Sequence, residues 1–252
     1  MTKTLSEPDY VASALTAASL VPFPDPAHPW RLVARPGRIE VLQSDGDREA
    51  LAACGAAVLN MQLALRAAGH AATVDLLPDR TRPDLLAVVW IRARCTPSIQ
   101  ERSLARAIPV LHEARVPRGG GPVPPDVRAA LVRAAEREEA DLLLLEPPAE
   151  VDALRGLLAE AGWLTGSGLA GLVAVLSSYT DTLRGQVRAG RALQRVLLTG
   201  VVQGARARVL LRPETVQKAR PELRGFLGHQ VNPQAVLAFR FAPAVPPRQR
   251  RS

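Results

Sequence analysis

Three features of the sequence predict an α+β fold in which two fused half-units form a pseudo-dimer around a central buried helix. The first is the segment 48–68. Its residues Leu51, Cys54, Val58, Met61, Leu65 and Ala68 form a continuous apolar seam, and its other faces are mostly Ala and Gly. A helix that is apolar nearly all round belongs in the centre of a protein. The second feature is a set of short β-prone stretches bounded by Pro, Gly and Asp, which read as strands. The third is a weak internal repeat. The central helix ends Arg66-Ala67-Ala68-Gly69, and a later long helix ends Val202-Gln203-Gly204-Ala205. Each is rich in Ala, Leu and Val, stops at glycine and precedes an expected strand, so two halves related by a pseudo-two-fold axis are expected. The chain is read as one unit, 1–252, with half-units of about 9–108 and 109–247 and a flexible basic tail, 248–252.

Taken in order, residues 9–20 read as a short helix, followed by the proline-rich segment Val21-Pro22-Phe23-Pro24-Asp25-Pro26-Ala27-His28-Pro29. Proline fixes φ and restrains its predecessor, so this segment is expected to be extended and stiff. Residues 30–34 and 38–42 alternate around Pro36-Gly37, a hairpin signal. Asp45 and Asp47 can cap the central helix, and Gly69 can end it. Strands are predicted at 72–77 and 85–91 and a helix at 99–107. A connector over 109–125 holds Gly119-Gly120-Gly121, read as a flexible linker. The pattern then restarts with a helix at 125–139, a strand at 142–145, a helix near 151–161 and a strand at 172–176. A long helix at 185–203, a last helix near 213–227 and a strand at 234–241 complete it.

Composition narrows the function. Hydrophobic residues make up 47% of the chain and aromatics only 4%, so the core must be packed with Leu, Val and Ala. The net charge of +8 comes almost wholly from arginine, since Lys3 and Lys218 are the only lysines. An Arg and Ala excess often follows from a GC-rich genome, and few aromatics are available to stack on bases, so nucleic acid is disfavoured as a partner. Cys54 and Cys95 have no neighbour at metal-ligand spacing and do not make a disulfide framework. A reducing, cytoplasmic location is therefore expected, with Cys54 a buried core thiol. The N-terminus shows no signal-peptide pattern, and the longest uncharged run in the first half, 50–65, is too short to span a membrane. His28, His70, His112 and His229 are scattered without paired spacing, so no metal is expected. No nucleophile elbow or phosphate loop is present, and no catalytic residue is named from spacing.

Several stretches together resemble the Acg-type branch of the nitroreductase-like flavoproteins. They are Pro29-Trp30-Arg31-Leu32 before the hairpin; Asp47-Arg48-Glu49 with Cys54-Gly55-Ala56-Ala57 and Leu63 to Gly69; Pro122-Val123-Pro124-Pro125 opening a helix; Arg188 to Leu198; and Asn232 to Leu237 with the Pro246-Pro247 and Arg250-Arg251 tail. In order, they cover most of the chain. This chain is shorter than the family and reads as deleted between Ala161 and Gly171. The resemblance implies a nitroreductase-like fold with FMN in the cleft between the halves. It implies cofactor contacts at His28, Trp30, Arg115, Gly204, Arg208 and Arg250.

The motifs are eroded at each contact. Where relatives carry Pro-Ser-x-x-Asn-x-Gln-Pro-Trp, this chain has Phe23 for Ser, Pro26 for Asn and His28 for Gln. Two hydrogen-bonding side chains are thus replaced by groups with none. Where relatives carry Arg-x-Thr-x-Arg, only Arg115 is retained, and Glu113 brings a negative charge toward a phosphate. Where relatives carry Gly-Leu-x-x-Ser, Gly204 is kept and Arg208 stands for the hydroxyl. The expected function is therefore a nitroreductase-fold protein with weak or lost flavin binding. Its role would be non-catalytic, holding a flavin or other planar ligand or contacting a protein partner or a second copy. The alternative is an active FMN-dependent NAD(P)H oxidoreductase using Arg115, Arg208 and Arg250 as phosphate clamps.

Overall fold

The structure is a computed structural model that describes residues 9–22, 30–44, 50–113, 120–163, 171–228 and 231–242. The first half runs α1 (Asp9–Ser19), β1 (Trp30–Arg35), β2 (Arg38–Gln43), α2 (Ala50–Ala67), β3 (His70–Leu76), β4 (Leu85–Arg94) and α3 (Ile99–Glu113). The second runs α4 (Pro125–Glu136), β5 (Ala140–Leu145), α5 (Pro148–Glu160), β6 (Leu172–Ser178), α6 (Leu183–Gln203), β7 (Ala205–Leu211), α7 (Pro213–Lys218), α8 (Arg220–Leu227) and β8 (Asn232–Phe241). The strands make two antiparallel four-stranded sheets, ordered β1-β2-β4-β3 and β5-β6-β8-β7. Counted within its own half, each sheet has the order first, second, fourth, third. Each half is thus a helix, two strands, a long helix and two more strands, and the fold is α+β with an internal topological repeat.

The repeat is also metric. Gly69 and Gly204 follow α2 and α6 at φ of 83° and 76°, and they stand 135 residues apart in the chain. The strands that follow begin at His70 and Ala205, at the same spacing. The left-handed conformation is inexpensive only for glycine, which explains the identical stop signal. Gly55 in α2 and Gly190 in α6 share the same spacing. A Cβ on Gly55 would lie 2.1 Å from the carbonyl oxygen of Val187, and one on Gly190 would lie 2.0 Å from that of Ala52. The two contacts are reciprocal, as an isologous interface requires: each glycine meets the residue three before its counterpart. The buried helix foreseen at the centre is therefore one of a pair packed backbone to backbone.

A third pair of equivalent positions, Asn60 and Arg195, ties each long helix to the end of its neighbour. Asn60 Nδ2 donates to the carbonyls of Ala17 at 3.0 Å and Leu20 at 3.2 Å, holding the exit of α1. Arg195 Nε donates to Glu138 Oε1 at 2.7 Å, holding the turn after α4. Asn60 Oδ1 also accepts from Gln194 Nε2 at 2.8 Å, so the two long helices are joined by a buried amide contact.

The halves differ in what covers the far side of each sheet. α1 and α2 pack one face of the first sheet through Val41, Val58, Met61 and Ala87. α4 and α6 do the same for the second through Leu131, Leu193, Val196 and Phe239. On the second sheet's other face, α5, α7 and α8 bury Leu154, Leu158, Val216 and Leu223 against Val173, Val175 and Val236. These helices are insertions between β5 and β6 and between β7 and β8. The first half has only the Pro36-Gly37 turn and the 77–84 loop at those places.

Several boundaries depart from the sequence reading. α3 runs to Glu113, through Pro109, where a connector was expected. Its Leu104, Ala107 and Ile108 are buried against Leu59, Leu63 and Leu198, and this packing outweighs the one hydrogen bond that a proline removes. It contacts both α2 and α6, so the expected division at 108–109 falls inside an element shared by the two halves. Gly120-Gly121, read as part of a flexible linker, is ordered: Gly121 exchanges backbone hydrogen bonds of 2.9 and 3.1 Å with Phe241. The last helix is two helices, broken at Ala219 ahead of Pro221. α4 ends at Glu136, and Glu138 and Glu139 lie beyond it, the latter at φ 57°. The basic tail, 248–252, lies outside the described residues.

Candidate functional site

Three of the six residues assigned to cofactor contact, His28, Arg115 and Arg250, lie outside the described residues, as do Phe23 and Pro26. The other three are separately housed. Trp30 opens β1 and is buried in the core of the first half. Gly204 caps α6, and its carbonyl accepts from Ala242 N at 2.8 Å. Arg208 is exposed on the edge strand β7. Ala207 and Val209 pack toward the α4/α6 side, so alternation puts Arg208 on the opposite face of the sheet. Gly204, Ala242, Phe241 and Gly121 do meet, which brings the ends of α6, β8 and the connector together. The described residues alone do not assemble a flavin cradle, and no step through a flavin is derived from them. Among the described residues no group of His, Cys, Asp or Glu could hold a metal ion.

The strongest polar constellation lies elsewhere, at the α2/α6 seam. Glu138 is buried, and both of its carboxylate oxygens are engaged. Arg191 Nε donates to Oε2 at 2.6 Å, and Arg195 donates to Oε1 through Nε at 2.7 Å and Nη2 at 2.5 Å. Arg191 Nη2 donates to Gln62 Oε1 at 3.0 Å, and Gln62 Nε2 donates to the Ala72 carbonyl at 3.1 Å. The chain of contacts therefore runs from the α4–β5 turn through α6 and α2 to β3, across both halves. Arg191 Nη1 is buried without a hydrogen-bond partner among the described residues. A second guanidinium on one carboxylate leaves a local excess of positive charge.

Two adjoining clefts flank this clamp and share Gln62, Arg137, Glu138 and Arg191 in their walls. One, of about 510 Å³, reaches Val74, Leu76, Glu139 and Arg188; the other, of about 400 Å³, reaches Arg66, Ser98, Glu101 and Leu104. Their arginines are largely committed: Arg188 pairs with Glu139, Arg66 with Glu101 at 2.5 Å, and Arg137 Nη1 donates to Gln100 Oε1 at 2.7 Å. A carboxylate whose two oxygens are both held by guanidiniums has little free capacity to accept a proton from a substrate. The arrangement suits a cross-tie between halves better than a reaction centre.

Sequence reasoning did not single out Glu138, Arg191, Arg195 or Gln62. A signal was present in Arg191 and Arg195, four apart on a helix whose other buried positions are mostly Ala, Leu, Val and Gly. Such spacing puts both guanidiniums on one face. Their partner, Glu138, is 53 residues from Arg191 and could not be read locally. Cys54, expected as a core thiol, is fully buried, and burial pushes its pKa up to about 12.

No family model matches the chain, and no curated protein matches it. Solved structures overlay parts of it. The NfrA1 nitroreductase from B. subtilis overlays 57% of this chain and 70% of its own, at 13% identity and a TM-score of 0.42. The NADPH:FMN oxidoreductase from Vibrio harveyi, complexed with NAD+, overlays 60% of this chain and 73% of its own, at 12% identity and a TM-score of 0.43. Nitroreductase A from Vibrio parahaemolyticus overlays 60% and 72%, at 12% identity and a TM-score of 0.42.

Proposed function

We propose that this chain is a nitroreductase-like protein of the Acg-type branch, a single unit of two fused halves, in which flavin binding is weak or lost. Its role is non-catalytic: it holds a planar ligand or engages a protein partner in the cytoplasm. The observation that carries this reading is the dispersal of the candidate contact residues among those described. Trp30 is part of a core, the Gly204 carbonyl is already bonded, and Arg208 stands on the sheet face away from α6. The motif substitutions point the same way, since Phe23 and Pro26 supply no side-chain hydrogen bond where relatives carry Ser and Asn. Each unpaired polar group of a bound flavin costs about 1–3 kcal/mol, so three or four such losses would move a micromolar site to the millimolar range.

The test is the visible absorbance of the protein as purified, followed by anaerobic addition of excess FMN and NADPH. The expected result is a colourless protein that does not accelerate flavin bleaching. A yellow protein whose flavin is bleached faster than free FMN, saturably in protein, overturns the reading. It would establish the alternative, an FMN-dependent NAD(P)H oxidoreductase. In that case Arg115→Ala should weaken FMN binding about tenfold, the size of one charge-assisted contact.

A further inference from the structure

Arg184, Arg188, Arg191 and Arg195 follow one another at intervals of four, three and four residues on α6, so they form one stripe along the helix. The first three line the larger of the two clefts, of about 510 Å³, together with Arg137 from the turn after α4. β3 and the loop after it supply Val74, Asp75, Leu76 and Leu77, so the cleft lies between the halves. Its acids do not balance its cations. Glu138 is shared by Arg191 and Arg195, and Glu139 is paired with Arg188. Asp75 accepts the Trp90 indole N–H at 2.7 Å. Arg137 donates to a neutral group, Gln100 Oε1, and has no carboxylate partner among the described residues. Arg184 is exposed and has neither a hydrogen-bond nor an ion-pair partner among them. Counting Arg195 behind Glu138, five guanidiniums stand against three carboxylates, a surplus of two positive charges. Arg191 makes that surplus felt. It is 8% exposed, and its Nη1 is buried without a hydrogen-bond partner. The field of a guanidinium set in a low-dielectric wall is screened far less than that of one in water.

We infer that this cleft binds a small organic dianion with an apolar body, its two charges carried by a phosphate monoester or by a pair of carboxylates. The charge follows from the surplus. The exposed Arg137 and Arg184, with Arg188, take the oxygens, since a guanidinium fork matches either oxyanion. Arg191 stays within the wall and contributes charge, not contact. Val74, Leu76 and Leu77 are only half-buried, so they offer the apolar body a surface. The volume is that of a small-molecule site, for which roughly 300–1,000 Å³ is usual. Glu139 is a competitor already in place: it is exposed, and its carboxylate sits on Arg188, a contact that an incoming oxyanion would replace. The inference goes beyond the proposed function and does not depend on whether a flavin binds.

The probes are phenyl phosphate and glutarate, both dianions at about pH 8, with benzoate as the monoanion, followed by isothermal titration calorimetry. Saturable binding of one dianion is expected, with a dissociation constant below about 1 mM that rises with salt. Which of the two binds tells the phosphate from the dicarboxylate, and benzoate should bind at least about tenfold more weakly. Arg184→Gln should weaken the binding about tenfold, the size of one charge-assisted contact. Glu139→Gln should tighten it about threefold, because Arg188 is released from an exposed ion pair. Both residues are exposed, so neither change threatens the fold. Arg155→Gln and Glu160→Gln make the same charge changes on α5, outside the cleft, and should leave the affinity as it was. The inference is overturned if neither dianion binds saturably at millimolar concentration, or if benzoate binds as tightly as they do. It is equally overturned if the Arg184 and Glu139 variants behave like the α5 controls. A colourless protein that binds neither dianion defeats this inference alone. A yellow, flavin-reducing protein that binds one of them defeats only the proposed loss of flavin.

Discussion

Gly190→Ala tests whether the two halves are held by backbone contact between α2 and α6. The new methyl carbon would sit 2.0 Å from the Ala52 carbonyl oxygen and 2.6 Å from Ala52 C and Cα. Ordinary contact needs about 3.5–4.0 Å, so the gap is short by about 1.5 Å. The obstacle is the backbone of a fully packed helix, which cannot swing aside, so the helices must separate along the seam. Overpacking of this kind costs about 1–3 kcal/mol and occasionally more, and the higher helix propensity of alanine offsets about 1 kcal/mol of it. With a backbone obstacle the upper end applies, for a net loss of about 2 kcal/mol and a fall in melting temperature of about 4–8 °C for a chain this long. Gly156→Ala in α5, where nothing lies within 4 Å, isolates the propensity effect and should stabilise by up to about 1 kcal/mol. Gly55→Ala strains the same seam, so the double variant should lose less than the sum of the two, because one separation relieves both clashes. Urea denaturation of all four variants gives the comparison. A Gly190→Ala protein as stable as the parent, or fully additive losses, would refute the close-packed seam.

Glu138→Gln leaves the buried Arg191 and the half-buried Arg195 without their anion, and unfolding free energy should fall by about 3–5 kcal/mol, an outcome that an unchanged denaturation midpoint would exclude. Burial alone would raise the Glu40 carboxyl, but the hydrogen bond and charge of Arg38, with Arg82 and Arg35, outweigh it and hold it below its ordinary value of 4.5. A carboxylate lowered in the folded state contributes stability that is present above 4.5 and is lost as pH falls through the folded value. The stability difference between the parent and Glu40→Gln should therefore narrow as the pH drops below that value, and a gap constant with pH would contradict this. Burial holds the Cys54 thiol neutral, with a pKa of about 12, whereas Cys95 is half-buried. Titration with a thiol reagent at mildly alkaline pH should find one reactive cysteine in the native protein and two in denaturant; two fast thiols in the native state would show that α2 is not at the centre.

Much of the architecture was legible because its signals are local. The seam from Leu51 to Ala68 announced a buried helix, and Gly69 and Gly204 marked where the two long helices stop. Pro36-Gly37 set the first hairpin, and the stop signals half a chain apart exposed the repeat. The caps and the turn depend on neighbouring residues, the seam on the period of one helix, and the repeat only on the likeness of two such local patterns. The candidate site was legible only as a resemblance, and three of its six residues fall outside the described chain. Of those that remain, Trp30 and Arg208 are on different sheets and Gly204 caps α6, a separation that a linear motif does not reveal.

What only the tertiary structure decided are the contacts between residues far apart. The Gln62–Arg191 and Asn60–Gln194 hydrogen bonds join residues 129 and 134 apart, and the Gly55–Val187 and Gly190–Ala52 approaches span similar separations. Pro109 alone argues for a break, yet α3 continues because Leu104, Ala107 and Ile108 find a core on α2 and α6. Glu138 alone reads as a solvated charge after a helix, yet it is buried because two arginines from α6 close on it. Caps, turns and periodicity act over a few residues and are written in the chain. Burial, charge pairing and close approach of backbones depend on what the rest of the molecule brings alongside, and they exist only once the halves have met.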